Sequence, residues 1–174
     1  MSSKFSYNDL FSEFPDHAHL WIFASENPMS SAQEDQLMEK AKTFFASWVS
    51  HGRRVKAATE VKNGQFLLIA AELDEGEISG CGIDALTSAL KAFGETLGIT
   101  WASSLDVFFM DSIGQVVRTS RSDFRKLVQH GSVTPETTVF DLSITRVGEL
   151  RNGQFARPAY ASWHGRVYGL AQAV

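Results

Sequence analysis

The sequence predicts an α+β fold, in which a ferredoxin-like βαββαβ core (residues 15–119) is followed by a mixed, β-rich C-terminal extension (residues 120–174) that covers the sheet. Two observations predict this class. Apolar residues repeat at helical spacing in two segments, and short apolar runs lie around them in the order strand, helix, strand, strand, helix, strand. The chain has 174 residues, of which 44% are hydrophobic and 21% charged, so it is long enough for one globular domain with its own core.

The first strand and the first helix have clear local signals. His19 to Ala24 is a short run of mostly aromatic and aliphatic residues, which is typical of a buried strand. Ser31, followed three positions later by Glu34, has the spacing of a capping box and predicts the start of helix 1. Gly52 follows the end of this helix. Its apolar face is formed by Leu37, Ala41, Phe44 and Trp48.

A hairpin and a second helix follow. Strand 2 (Lys56 to Val61) and strand 3 (Gln65 to Ala71) are joined at Asn63-Gly64, because these residue types tolerate the positive φ angles of a type I′ turn. Helix 2 ends at Gly98, and its stripe consists of Ile83, Leu86, Leu90, Phe93 and Leu97. Strands 4 and 5 are predicted at Asp106 to Met110 and at Gln115 to Thr119.

The last third has a less regular pattern. Ser122 is a candidate cap for a short helix that ends before Gly131. From Thr138 to Thr145, apolar residues alternate with polar ones, so the pattern predicts a half-buried strand whose polar face includes Asp141 and Ser143. Three nearby arginines form an anion patch if they are exposed together, and otherwise pair with neighbouring carboxylates such as Asp123. These arginines are Arg118, Arg121 and Arg125.

The predicted topology indicates where a site would lie. We expect strands 1 and 3 to be adjacent and parallel, which brings the loop Ser25 to Ser30 and the turn Ser79 to Asp84 to one end, with both helix N-termini directed there. The candidate binding residues of this turn are Ser79, Gly80, Gly82 and Asp84. His164 is a further candidate binding residue, because it lies beside Trp163 and Arg166 in a segment suited to a pocket lip; the alternative is a packed tryptophan beside surface polar groups.

Cys81, the only cysteine, is the candidate catalytic residue. At a helix N-terminus the partial positive charge and the free N–H groups stabilise a thiolate, which favours a nucleophilic or redox role. Carboxylates close in sequence oppose this, since negative neighbours raise the pKa of a thiol. The alternative is a small buried cysteine whose glycine neighbours let the turn close tightly. The carboxylates are Glu72, Asp74, Glu75, Glu77 and Asp84.

The composition excludes several classes of protein. One cysteine forms neither an internal disulfide nor a cysteine-built metal site, so we expect a reducing, cytoplasmic location, and we predict no metal and no cofactor. No apolar run approaches the ~20 residues of a membrane span. The formal net charge of −4 argues against a nucleic-acid partner. A phosphate-binding P-loop needs Gly, four residues, Gly, Lys and then Ser or Thr, and the sequence contains no such string.

Several short motifs resemble one protein family. They are Leu20-Trp21-Ile22, Ser79 to Asp84, Val139-Phe140 and Ser162-Trp163-His164. In these motifs the chain is similar to a family of short bacterial proteins of no known activity, some of which carry the label "ABC transporter ATPase". Members continue the turn as Gly-Cys-Ser-Ile-Asp-Lys-Ser, whereas this chain has Gly82, Ala85 and Leu86 in place of Ser, Lys and Ser. The resemblance implies no mechanism, since this chain has no Walker string.

The sequence is interpreted as a soluble, cytoplasmic binding or interaction module for a small ligand or a protein partner. The alternative is a small thiol-dependent enzyme that uses Cys81. A homodimer is also predicted, because strands 1, 3 and 4 are apolar on both faces while two helices cover only one face. Either the C-terminal extension or a second subunit is then needed to cover the other face.

Overall fold

The computed structural model describes residues 6–171 and has an α+β fold with antiparallel sheets, which confirms the predicted class. The described residues form two compact units. We call residues 11–102 and 145–148 the N-terminal unit, and residues 6–10, 103–144 and 149–171 the C-terminal unit. None of the helices in the described part of the chain is long and apolar enough to span a membrane.

The N-terminal unit contains a three-stranded sheet and two long helices. Its elements are β1 (His19–Ala24), α1 (Ser31–Ser47), β2 (Val49–Ser50), β3 (Arg53–Arg54), β4 (Lys56–Lys62), β5 (Phe66–Glu72) and α2 (Gly80–Leu97). The strand order is β1-β5-β4, and Asn63 and Gly64 have φ angles of 55° and 63°, as the predicted hairpin turn requires. The cap of α1 is Ser30 rather than Ser31, and Gln33 completes the capping box.

The predicted parallel pairing of strands 1 and 3 is wrong. β1 and β5 are adjacent, but they are antiparallel, with Trp21 opposite Ile69. The physical reason is that α1 returns the chain so that β4 starts parallel to β1, and the tight turn then reverses β5. Gln33, in the first turn of α1, donates from Nε2 to the carbonyl of Leu97 at the end of α2, 3.0 Å away. The two helix N-termini therefore lie at opposite ends of this unit, not together as predicted.

The predicted ferredoxin-like core is not confirmed, because the predicted fourth strand (Asp106 to Met110) belongs to a different sheet from the first three. The free edge of β1 is bonded instead by residues 145–147: Leu20 N donates to Thr145 O (2.8 Å), and Val147 N donates to Ala18 O (3.1 Å). On the helix-facing side of the sheet, Leu67 and Ile69 pack with residues of α1 and α2. The side chains that point to the other face are also buried within the single chain, namely Phe66, Leu68 and Ala70.

The C-terminal unit contains a four-stranded antiparallel sheet of order β7-β6-β8-β9. The elements that follow α2 are β6 (Val107–Met110), β7 (Val116–Thr119), α3 (Arg121–Gln129), β8 (Thr138–Phe140), α4 (Val147–Arg151), β9 (Ala156–Pro158), a 3₁₀ turn (Ala159–Ala161) and α5 (Trp163–Tyr168). The predicted strands 4 and 5 are thus β6 and β7 of this sheet. The predicted helix after Thr119 is α3, whose cap is Ser120 rather than Ser122. Phe109 and Val139 pack with Phe124 and Tyr168 in the core of this unit.

Candidate functional site

The cysteine turn forms the start of α2, and Ser79 is its N-cap. Ser79 Oγ accepts a hydrogen bond from Gly82 N (3.1 Å), while Ser79 N donates to Ser50 Oγ (2.8 Å). Trp48 donates from Nε1 to the carbonyl of Gly82 (2.9 Å). This end of α2 is therefore attached to the segment that follows α1, and the loop Ser25 to Ser30 lies instead beside the hairpin turn, where Met29 N donates to Gly64 O (2.7 Å).

The turn is partly exposed to solvent. Cys81 and Asp84 are exposed, so the interpretation of Cys81 as a small buried residue is wrong. Neither Gly80 nor Gly82 has a positive φ. A Cβ at Gly82 would lie 3.0 Å from Ile78 Cγ2 and 3.3 Å from Ser50 Cβ, whereas one at Gly80 would meet no atom within 4 Å. Close packing therefore explains why position 82 has a glycine, whereas the structure leaves room for a side chain at position 80.

Two open grooves lie along the helices of the N-terminal unit, and the cysteine turn lines neither. One, of about 430 Å³, is lined by residues of α1 and α2 that include Phe44 and Phe93. The other, of about 470 Å³, lies at the end of α2 and includes Trp101. Among the residues that the structure describes, no group of three or more His, Cys, Asp or Glu side chains could hold a metal ion.

His164, the candidate binding residue of the last third, lies inside the C-terminal unit. Its side chain is 1% exposed, and Nδ1 is 2.8 Å from the Oγ of Ser162, which is 3% exposed. The imidazole ring stacks on Trp163 with centroids 3.8 Å apart. Burial lowers the pKa of His164 to about 4; Asp141 opposes this shift, and Arg157 and Arg121 add to it. The ring is therefore neutral at physiological pH, and its Nδ1 shares a hydrogen bond with the hydroxyl of Ser162.

Asp141 lies next to His164 and is only 4% exposed, although the alternation of residues 138–145 predicted it on a solvent-facing side. Its Oδ1 accepts hydrogen bonds from Ser143 N (3.0 Å), Ser143 Oγ (2.5 Å) and Trp163 Nε1 (3.2 Å). β8 ends at Phe140, and Asp141 N continues the pairing by donating to Phe155 O (2.7 Å). The side chain therefore enters the interior where the strand ends, and neighbouring donors stabilise its charge there.

Arg157 completes the cluster. It lies on β9 opposite Val139, which is two residues before Asp141, so the two charged side chains are diagonal neighbours. Arg157 Nη2 is 3.6 Å from Asp141 Oδ2, and its side chain is 27% exposed. Its Nε is buried and has no hydrogen-bond partner within residues 6–171. We call Asp141, Arg157, Ser162, Trp163 and His164 the Asp141 site.

Sequence reasoning found only part of this site. The Ser162 to Arg166 segment is a candidate from the sequence because it combines an aromatic ring, an imidazole and a cation. Arg157 carried no local signal, because its importance comes from a strand pairing with residues that are far away in the sequence. Asp141 was recognised, but as a surface residue, because alternation alone does not show where a strand ends.

The three arginines considered in the sequence do not form one patch. Arg118 pairs with Asp106, with Nη1 2.9 Å from Oδ2. The guanidinium of Arg121 lies over the ring of Trp163, with 5.9 Å between Cζ and the ring centroid, and that of Arg125 lies over Tyr168 at 5.2 Å. Two of the three therefore lie next to each other against α5, and the third is neutralised by a carboxylate.

Comparison with protein-family models, with curated proteins and with solved structures finds no match to this chain.

Proposed function

We propose that this protein is a binding module that holds a small anionic ligand at the Asp141 site. The observation that carries the proposal is the buried Nε of Arg157, which has no hydrogen-bond acceptor in the described part of the chain. A buried donor without an acceptor costs about 1–3 kcal/mol. A ligand oxygen that accepts from Nε would remove this cost, so the folded state favours binding.

The charge balance supports an anion. Arg157 offsets the charge of Asp141, and the other charged group that acts on the neutral His164 ring, Arg121, is also positive, so no net negative charge opposes an anion. Asp141 cannot also satisfy Nε, because its Oδ1 is already held by three donors and its Oδ2 faces Nη2. A guanidinium presents donors on more than one edge, and a carboxylate or phosphate matches that arrangement. The Arg157 side chain is partly exposed while its Nε is buried, so a ligand must enter beneath the surface to reach Nε.

Ligand-dependent stability tests the proposal. The full chain is titrated with sodium acetate and with sodium phosphate at constant ionic strength, and thermal unfolding is followed. A ligand at about 100 times its Kd raises the free energy of unfolding by about 2.7 kcal/mol. We expect a saturable rise for the unmodified protein and for Arg166→Lys, a control arginine that is exposed on α5. Arg157→Lys keeps the charge but has no Nε donor, so an equal rise in this variant would refute the proposal.

Thiol chemistry at Cys81 is a second candidate function, favoured by one observation. The side chain is exposed in the first turn of α2, and reactive thiols in proteins are often found at such partly exposed helix N-termini. The rate of alkylation of the native protein against pH tests it. An apparent pKa well below about 8 supports an active thiol, and a value near the ordinary 8.5 refutes it.

The cytoplasmic location and the homodimer stay predictions. The homodimer was predicted from a sheet face without a cover, and the side chains of that face are buried within one chain. A second copy is therefore not needed to remove them from water.

A further inference from the structure

Two arginines of α3 form an ordered cationic surface in the C-terminal unit. Arg121 and Arg125 are four residues apart, so they lie on one side of the helix, and both are exposed. Their guanidinium groups lie over the rings of Trp163 and Tyr168, at 5.9 and 5.2 Å from the ring centroids. Contacts of this kind limit the motion of a guanidinium and do not use its N–H donors. We call these four residues the arginine face.

The arginine face has no carboxylate of its own. Asp123 is the acidic residue of α3, and it bonds to Lys126 (2.8 Å) and to Ser120. Arg121 donates from Nε to the carbonyl of Leu105 (3.2 Å), which leaves its terminal nitrogens for other acceptors. In the described part of the chain neither Arg121 nor Arg125 forms an ion pair. Two positive charges are therefore held side by side without neutralisation.

We propose that the arginine face binds an extended acidic peptide whose carboxylates are two residues apart. Residues four apart on a helix have Cβ atoms about 5–6 Å apart. In an extended strand, side chains two residues apart lie on the same side and are separated by about 6.6 Å, which matches this spacing. Each guanidinium can then form two parallel N–H···O bonds to one carboxylate.

A nucleic acid is a poorer match. Proteins that bind duplex DNA neutralise about 6–10 phosphates, whereas this face offers two cations. The chain also has a formal net charge of −4, which opposes a polyanion that extends beyond the face. A short acidic segment has charges at the two positions where cations are available.

Fluorescence anisotropy with synthetic peptides tests the proposal on the full chain. The probe is a labelled, otherwise neutral peptide with the pattern Glu-x-Glu, and the matched control peptide has adjacent Glu-Glu, whose side chains point to opposite sides of a strand. We expect the Glu-x-Glu peptide to bind at least about 5-fold more tightly, since loss of one of two charge-assisted contacts corresponds to about 1 kcal/mol or more. Equal affinities for the two peptides, or no binding of either, would overturn the proposal.

Matched variants locate the binding. Arg121→Met and Arg125→Met should each weaken Glu-x-Glu binding by about 5- to 10-fold. Arg121→Lys and Arg125→Lys, which keep the charge, should weaken it less, and Arg166→Met should leave it unchanged. Arg157→Lys should also leave it unchanged, so a failure of the anion site does not affect this test. An unchanged affinity in both Arg→Met variants overturns the proposal, as does tighter binding of a single-stranded oligonucleotide or of phosphatidylserine vesicles, which would assign the face to phosphates.

Discussion

The Oγ of Ser162 and the Nδ1 of His164 are 2.8 Å apart in the interior of the C-terminal unit. The hydrogen bond between them holds the ring in place, and the ring stacks on the Trp163 side chain that bonds to Asp141. The pair therefore positions Trp163, and through Trp163 it positions Asp141. Both residues are almost fully buried, which is consistent with that role rather than with direct contact to a large substrate.

The stability of the protein should depend on His164 at acidic pH. The pKa of His164 is about 4 in the folded chain against 6.5 ordinarily, so between these values the unfolded chain binds more protons than the folded one. The free energy of unfolding therefore falls as the pH drops from 6.5 to about 4, by about 3 kcal/mol at most from this group, and His164 has no such effect above pH 6.5.

Urea unfolding across this pH range, in parallel for the unmodified chain and His164→Gln, isolates the contribution. Carboxylates titrate in both proteins, so only the difference between the two curves reports on His164. We expect the unmodified chain to lose more stability than the variant as the pH falls. Parallel curves would mean that folding does not lower the pKa of His164, so that the ring takes up its proton as readily in the folded chain as in the unfolded one.

Asp141→Asn should destabilise the protein by about 1–3 kcal/mol, because one amide oxygen replaces a carboxylate that accepts from three donors and faces Arg157. The measurement is the free energy of unfolding in urea. Asp106→Asn serves as the control, since Asp106 pairs with the partly exposed Arg118 near the surface. A loss no larger than that of the control would show that the hydrogen bonds and the ion pair of Asp141 contribute little to stability.

Gly82 and Gly80 should respond differently to alanine. Gly82→Ala places a Cβ 3.0 Å from Ile78 and 3.3 Å from Ser50, so we expect a loss of about 1–2 kcal/mol. Gly80→Ala meets no atom within 4 Å in the first turn of a helix, so stability should stay the same or rise by up to about 1 kcal/mol. Chemical unfolding of both variants decides this, and equal losses would contradict the packing account.

Cys81→Ser should leave the stability within about 0.5 kcal/mol of that of the unmodified chain, because the side chain is exposed. Thermal unfolding of the two proteins is the measurement. The sequence alone had favoured a buried thiol, for which a loss of about 1–2 kcal/mol is expected. A loss of that size would place the thiol in the interior.

Features with a local physical cause could be predicted from the sequence. The hairpin at Asn63-Gly64 depends on the φ tolerance of two residues, and α1 and α2 depend on apolar spacing and short caps, so all three were predicted close to where they occur. The pairing of strands depends on the path of the whole chain. For this reason the antiparallel neighbours β1 and β5 and the separate sheet of β6 were not predicted.

The same distinction applies to the Asp141 site. His164 lies in a segment with unusual composition, so the sequence identified it. Arg157 and Asp141 come together through the pairing of β8 and β9, and the burial of a carboxylate just after a strand end has no counterpart in a residue pattern. The exposure of Cys81 was missed for a related reason: the buried side of α2 includes Gly82 and Leu86, and the thiol, one position before Gly82, lies off that side.

Nuclear magnetic resonance of the arginine Nε–H groups tests the central claim most directly. The resonance of Arg157 is followed while the full chain is titrated with sodium acetate and with sodium phosphate at constant ionic strength, and the exposed Arg166 serves as the internal control. If the Asp141 site binds anions, the Arg157 resonance moves to a saturating end point as its Nε gains an acceptor, while that of Arg166 moves little and without saturation. An Arg157 resonance that stays unchanged, or that follows Arg166 throughout both titrations, would contradict the account.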